Sequence, residues 1–181
     1  MTTANQLPGM IHEVVAADVD ESTRSAITQL HYRFGAALDT NNWDLYRSCL
    51  DESITVHYQG AGLPRVTTAA DNWTAFVKAA VEVQQTVHYF TNLIATRIPD
   101  GRIACRLNHQ SCHRVDTHGS GDSTHIQYGV YHTVAVERAG RWLLTDIHHT
   151  VSWSVGNPNL IDTGRPAFQH AYAAVFTAVD H

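Results

Sequence analysis

No stretch of the chain approaches the roughly 20 consecutive apolar residues that a membrane-spanning helix requires, so no membrane partner is expected. Positive charge is scarce as well. Lys and Arg number 12 against 17 Asp and Glu, for a formal net charge of -5. The few basic side chains form no cluster, and a nucleic-acid partner needs a basic stripe to neutralise its phosphates. Cysteine occurs three times, at Cys49, Cys105 and Cys112. An odd count without C-x-x-C spacing argues against a disulfide framework and against a zinc ribbon. Gly-x-Ser-x-Gly is absent and no cysteine has the flanks of a catalytic thiol, so nucleophilic catalysis finds no support. Gly119-x-Gly121 does not join a strand to a helix, which removes the dinucleotide-binding reading. Met1–Asp20 has neither a basic n-region nor an apolar h-region. No secretory leader is expected, and a reduced, cytoplasmic protein is the default.

What is present fits one domain. The 181 residues are 44% hydrophobic and 16% charged, ordinary for a globular protein with a real core. Histidine is the exception, at 13 residues. Metal binding, proton transfer and plain composition could each account for that, and only spacing can decide.

The chain divides into an N-terminal arm over residues 1–19 and a single domain over 20–181. Asp18 followed by Glu21 resembles a capping box opening a helix near residue 20. Ile27, Leu30, Phe34 and Leu38 recur at helical spacing up to Asp39. Thr40-Asn41-Asn42 breaks that helix, and Trp43 to Leu50 forms a short second one. Ser53 to Tyr58 alternates as a strand, with Ile54, Val56 and Tyr58 on one face. Gly60 to Pro64 is a loop, and Ala69 to Val83 returns to helical spacing through Trp73, Phe76, Val77 and Ala80. From residue 86 the period becomes two. Val87–Pro99 and Arg102–Arg114 form a hairpin around Pro99-Asp100-Gly101, and His125–Arg138 and Arg141–Ser154 form another around Ala139-Gly140. Thr117 to Thr124 is a polar Gly/Ser loop. Pro166 to Val179 places Phe168, Tyr172, Val175, Phe176 and Val179 on one helical face. Helices followed by long antiparallel strands indicate an α+β fold. A curved, mostly antiparallel sheet with helices packed into its concave side makes a cone, or α+β barrel, whose open end is a natural small-molecule pocket.

Several residues could carry chemistry there. Asp39 ends a helix, where the macrodipole disfavours a carboxylate by roughly 0.3–1 kcal/mol. It is either a solvated helix-end carboxylate, making an Asx turn with Asn41, or a functional group. His88 opens the first long strand. Alone it reads as an ordinary histidine, but an aspartate aimed at it would fix its tautomer and raise its basicity. His113 lies late on the second strand, with His109 on the same face. Residues four apart on a strand are roughly 13 Å apart, too far for one zinc ion with bonds of about 2.1 Å. His148 and His149 are adjacent and point to opposite faces. No metal and no cofactor is expected. Tyr58 and Tyr131 each read as an interior phenol that needs a partner. Tyr32, Phe34 and Tyr131 are candidate substrate contacts.

Together these segments resemble the SnoaL-like branch of the nuclear transport factor 2-like superfamily, and within it scytalone dehydratase. The likeness rests on Phe34-Gly35-Ala36-Ala37-Leu38-Asp39-Thr40-Asn41-Asn42-Trp43-Asp44 continuing to Tyr58, on Thr86-Val87-His88-Tyr89-Phe90, and on Cys112-His113-Arg114. Gly140-Arg141-Trp142 and Val151-Ser152-Trp153 resemble the closing hairpin and final strand. The resemblance covers roughly residues 20–160 and implies a cone of strands closed by three helices. It further implies that Asp39 orients His88, that His88 and His113 move protons, and that Tyr58 matches one of two tyrosines that hold a water on the substrate. The other tyrosine falls on Leu38, and the pocket Ser and Asn fall on Gly129 and Tyr131, so the same substrate does not follow.

The expected activity is that of a cofactor-independent lyase, a dehydratase acting on a small cyclic or polyketide-like molecule in natural-product biosynthesis. An isomerase or cyclase would use the same Asp-His shuttle. A non-catalytic binding module or oxygenase-type subunit would share the fold without needing Asp39, His88 and His113 to converge. Apolar residues on both faces of the first long strand, Phe90 and Ile94 against Leu93 and Ala95, predict a homo-oligomer, a dimer or trimer.

Overall fold

The computed structural model describes residues 19–116 and 123–177. Residues 1–18 of the predicted arm, including Asp18 of the predicted capping box, most of the polar loop after Asp116, and Val179 of the predicted last helix lie outside them. The first helix, α1 (Glu21–Asp39), is capped by Asp20, whose carboxylate accepts from the Thr23 backbone N–H at 2.9 Å. Ile27, Leu30, Phe34 and Leu38 are buried, as their spacing predicts. The helix stops at Thr40, and Asn41, at φ 52°, turns the chain. Asn42 then caps the six-residue α2 (Trp43–Ser48) by accepting from the Leu45 N–H at 3.0 Å.

Two boundaries differ from the expectation. Leu50 belongs to β1 (Leu50–Tyr58), not to the preceding helix. A short strand, β2 (Val66–Ala69), lies where only a loop and a helix were expected, paired through Val56↔Val66. Its β-branched Val66-Thr67-Thr68 was a signal too short to stand alone. There follow α3 (Ala70–Val81), β3 (Gln85–Arg97), β4 (Ile103–Arg114), β5 (Thr124–Arg138), β6 (Arg141–Gly156) and α4 (Pro166–Phe176).

The strands form one sheet in the order β2-β1-β6-β5-β4-β3. The β1–β6 pair is parallel and the remaining pairs are antiparallel. The α+β architecture is as expected, with the curved sheet left open rather than closed into a barrel. Both predicted hairpins form. Ala139 and Gly140, at φ 49° and 75°, take the positive φ that a tight two-residue turn needs.

The face assignment on β3 needs correction. Its register against β4 shifts between Thr91 and Ile94, where Asn92 sits at φ 55°. One extra residue reverses the parity of all that follows. Phe90 and Ala95 therefore share the inner face, Ala95 wholly buried and Phe90 packed on Phe34 at 6.3 Å between ring centroids. The outer face keeps Val87 and Tyr89 on β3 and Trp153 and Val155 on β6 exposed.

The core lies between the inner face and the helices, with Tyr46, Ile54, Trp73, Leu107, Leu144 and Ile147 buried at its centre. Full burial of such side chains contributes roughly 1.5–3 kcal/mol each. Helix α4 packs on α3 through Phe168 and Phe76, ring centroids 5.5 Å apart. Among the described residues, no helix is long and apolar enough to cross a membrane.

Candidate functional site

Between α3, the inner face of the sheet and the segment containing Leu160 and Ile161 lies a cavity of about 220 Å³. Trp73, Phe76 and Val77 supply its apolar wall; His88, His113 and His149 are among its polar residues.

The end of α1 delivers Asp39 to β3. Its Oδ1 lies 2.6 Å from Nδ1 of His88, its Oδ2 accepts the His88 backbone N–H at 2.9 Å, and Thr86 Oγ1 donates to Oδ1 at 3.0 Å. Burial pushes the Asp39 carboxyl up, but the His88 and Thr86 donors outweigh it and hold the group below its ordinary value. An ionised carboxylate only accepts, so Nδ1 of His88 carries a proton, and in the neutral ring the lone pair is on Nε2. The helix-end position that disfavours a bare carboxylate is thus offset by donors from the neighbouring strand. The His88 side chain is 6% exposed.

His113 comes from β4, its ring 5.6 Å from that of His88 and nearly perpendicular to it. Its Nδ1 lies 2.8 Å from Oε1 of Gln84, a buried residue just past α3 whose Nε2 donates to the Ala80 carbonyl at 3.1 Å. With the amide nitrogen so engaged, the oxygen must accept from His113, and Nε2 of His113 is the free acceptor. Burial, together with the neighbouring His88 and His125, holds His113 down to about 4. It is a neutral imidazole near pH 7.

Tyr58 and Tyr131 also line the cavity, their rings 6.2 Å apart and nearly perpendicular. Burial raises both phenols well above their ordinary value, so both stay protonated. The structure brings Asp39, His88, His113, Tyr58 and Tyr131 close together. Two candidates lie elsewhere. Tyr32 points out of α1 and is 52% exposed, and Phe34 sits in the core against Tyr46 and Phe90, outside the lining. Helical spacing identified Phe34 as buried, but burial in a core is not access to a cavity.

Sequence reasoning missed Gln84, Ser111, His125, Gln127 and His149, all on the lining. For His125 and Gln127 a signal existed: they share the parity of Tyr131 on one strand. His149 was placed only on the face opposite His148, and that much holds, since His148 stacks on His57 outside at 4.7 Å. Gln84 follows a helix and precedes a strand, where no periodicity marks it. Among the described residues, no group of three or more His, Cys, Asp or Glu is arranged to hold a metal ion.

A family described as the SnoaL-like domain matches residues 21–148. No curated protein matches the chain. Among solved structures, the Kfla4162 protein from Kribbella flavida is 24% identical, covering 75% of this chain and 94% of its own, at a TM-score of 0.71. A candidate scytalone dehydratase from Novosphingobium aromaticivorans is 18% identical over 74% of this chain and 87% of its own, at 0.63. A hexachlorocyclohexane dehydrochlorinase, LinA-type3 from Novosphingobium barchaimii, is 14% identical over 78% and 94%, at 0.61. At these identities the likeness is one of fold.

Proposed function

Because this chain belongs to the SnoaL-like family, whose fold serves dehydratases, isomerases and cyclases, we propose that it is a cofactor-independent acid–base lyase. Its substrate is a small cyclic or polyketide-like β-hydroxy carbonyl compound from which it removes water. One observation carries the reading: the 2.6 Å contact between Asp39 and His88 at the edge of an apolar cavity. A helix-end aspartate with three donors from one strand has a chemical use only if the histidine it holds must become charged.

Nε2 of His88 takes the proton from the carbon beside the carbonyl, and Asp39 stabilises the imidazolium that forms. The electron pair left behind forms the carbon–carbon double bond as the bond to the hydroxyl breaks. The imidazolium returns its proton to that hydroxyl, which leaves as water. His113, neutral with a bare Nε2, can accept a hydrogen bond from the hydroxyl and orient it. Positioned acid–base groups contribute about 10²–10⁴-fold each, enough for an activated substrate without metal or cofactor. Tyr58, locked as a phenol, is a donor to the substrate or to a water beside it.

Isomerisation is the second reading, favoured by the 5.6 Å spacing of two imidazoles that both present a bare nitrogen. Incubating the protein with a panel of cyclic β-hydroxy ketones and weighing the products tests both. Loss of water supports the lyase, and an unchanged mass with a moved double bond supports the isomerase. Neither change from any ketone, or either change undiminished in Asp39→Asn, overturns the acid–base reading.

A further inference from the structure

His88 and His113 both present acceptors to the cavity, yet removal of a proton beside a carbonyl places negative charge on the carbonyl oxygen. That oxygen needs a donor. His149, on the inner face of β6, lines the same cavity and is 5% exposed. Among the described residues, its Nδ1 is buried without a hydrogen-bond partner. A buried N–H left unpaired is rarer and costlier than a bare acceptor, which puts the proton of the neutral ring on Nε2. Burial, with His109 and His88 nearby, pushes His149 down to about 3, so the ring stays uncharged across the working range.

The wall around His149 is built to hold it. Its ring lies 5.0 Å from that of Tyr58 and 4.7 Å from that of Tyr131. The third neighbour is His109, at 4.5 Å, from β4. Strands β4 and β6 are separated by β5, hence by about 9.5 Å, and residues so placed do not ordinarily meet. They meet here because His109 pairs with Gly129 and its ring lies over that glycine. A Cβ at Gly129 would come 2.8 Å from His109 Nε2 and 1.9 Å from the Thr150 carbonyl oxygen. The missing side chain opens the space through which His109 braces His149.

We propose that His149 is a further catalytic residue, a neutral imidazole donor to the substrate carbonyl oxygen, braced by His109 across Gly129. This rests on the acid–base reading of Asp39 and His88 and adds the other half of the enolisation. His88 and His113 accept, and His149 donates. The substrate so recognised is a ketone or enone whose carbonyl oxygen points to β6 while the acidic carbon faces His88.

The test uses α-tetralone, a bicyclic ketone whose oxygen only accepts, and tetralin, the same frame without it. Wild-type protein should bind α-tetralone at least about 10-fold more tightly than tetralin, roughly one well-made hydrogen bond. In ¹⁵N-histidine-labelled protein the His149 ring signals should move with the ketone and not with the hydrocarbon. His149→Phe should abolish the preference, and His149→Gln, which keeps an N–H donor, should restore part of it. An equal affinity for both probes in the wild type, a preference that survives His149→Phe, or His149 signals that do not distinguish the probes would each overturn the proposal. The labelled wild type decides the matter even where a variant fails to fold. Exchange of the α-protons of α-tetralone in D₂O reads the base separately. Loss of exchange in His88→Asn with the binding preference intact supports both proposals. Wild-type exchange unaffected by Asp39→Asn and His88→Asn would sink the base alone.

Discussion

Gln84 dictates which nitrogen of His113 carries the proton: its amide nitrogen is given to Ala80, so its oxygen takes the Nδ1 proton of His113 at 2.8 Å. Asp39 does the same for His88 with a carboxylate. Two imidazoles on neighbouring strands thus present bare Nε2 atoms, one backed by a charge and one by a neutral amide. The difference assigns roles. Only the imidazole backed by a charge is stabilised when it gains a proton, so in the proposed reaction His88 would be the base and His113 the orienting acceptor.

Asp39→Asn is expected to fold, since the change is nearly isosteric, and to lower kcat/KM by about 10²–10⁴-fold. His88→Asn should fall as far, and the double variant should be little worse than either, because the pair acts as a unit. Kinetics on the substrate identified by the ketone panel, with circular dichroism for the fold, read this. Strictly additive losses would mean that the two residues act independently.

Gln84→Leu should leave the His113 Nδ1 proton without its acceptor and reduce kcat/KM by about 10-fold or more. As Gln84 is a positioning residue, the sharper reading is the pH profile of Gln84→Glu. A carboxylate beside Nδ1 favours the charged ring and should move the acid limb of the rate profile upward. A profile identical to wild type would mean that His113 does not sense residue 84.

Gly129→Ala should cost stability rather than leave it unchanged. The added Cβ lies 1.9 Å from the Thr150 carbonyl oxygen, and backbone cannot yield as a flexible side chain can. Overpacking of this kind costs typically 1–3 kcal/mol. A lowered urea midpoint with an unchanged slope would show it. A midpoint equal to wild type would mean that β5 and β6 separate freely at this point.

Acid should destabilise the fold well above the carboxylate range. His31, wholly inside between α1 and β5, has Nδ1 on the Ile27 carbonyl at 2.8 Å and Nε2 against Thr133 Oγ1 at 2.9 Å, and burial pushes it down to about 4. His113 is held down to about 4 and His149 to about 3. The unfolded chain, whose histidines titrate near 6.5, binds more protons than the folded one between that value and about 4. Stability is therefore present above pH 6.5 and lost as pH falls towards 4, on the order of 3 kcal/mol for a group such as His31. Asp39, held low, acts in the same direction below its ordinary pKa. Urea midpoints between pH 7.5 and 4.5 should decline, and His31→Gln should flatten the decline. A flat profile for the wild type would contradict the neutral buried state of these rings.

The local code was legible where one element decides the outcome. The 3.6-residue spacing from Ile27 to Leu38 sets which face of α1 is buried, so it also sets where Asp39 emerges at its end. Alternation and turn residues locate the strands, and the parity of Tyr58 and Tyr131 puts both indoors. What the tertiary structure decided lies between elements. Tyr32 shares a helix with Phe34 yet faces out, because what covers a helix depends on where the sheet edge falls. The extra residue after Thr91 reverses the face of Ile94 and Ala95, a consequence of pairing with β4 that no pattern within β3 announces. Gln84 reaches His113, and His109 reaches His149 over Gly129, only once strand register is set. Periodicity encodes the direction of a side chain relative to its own backbone. Contacts between strands depend on register and on the space a neighbour leaves, and those are properties of the assembled sheet.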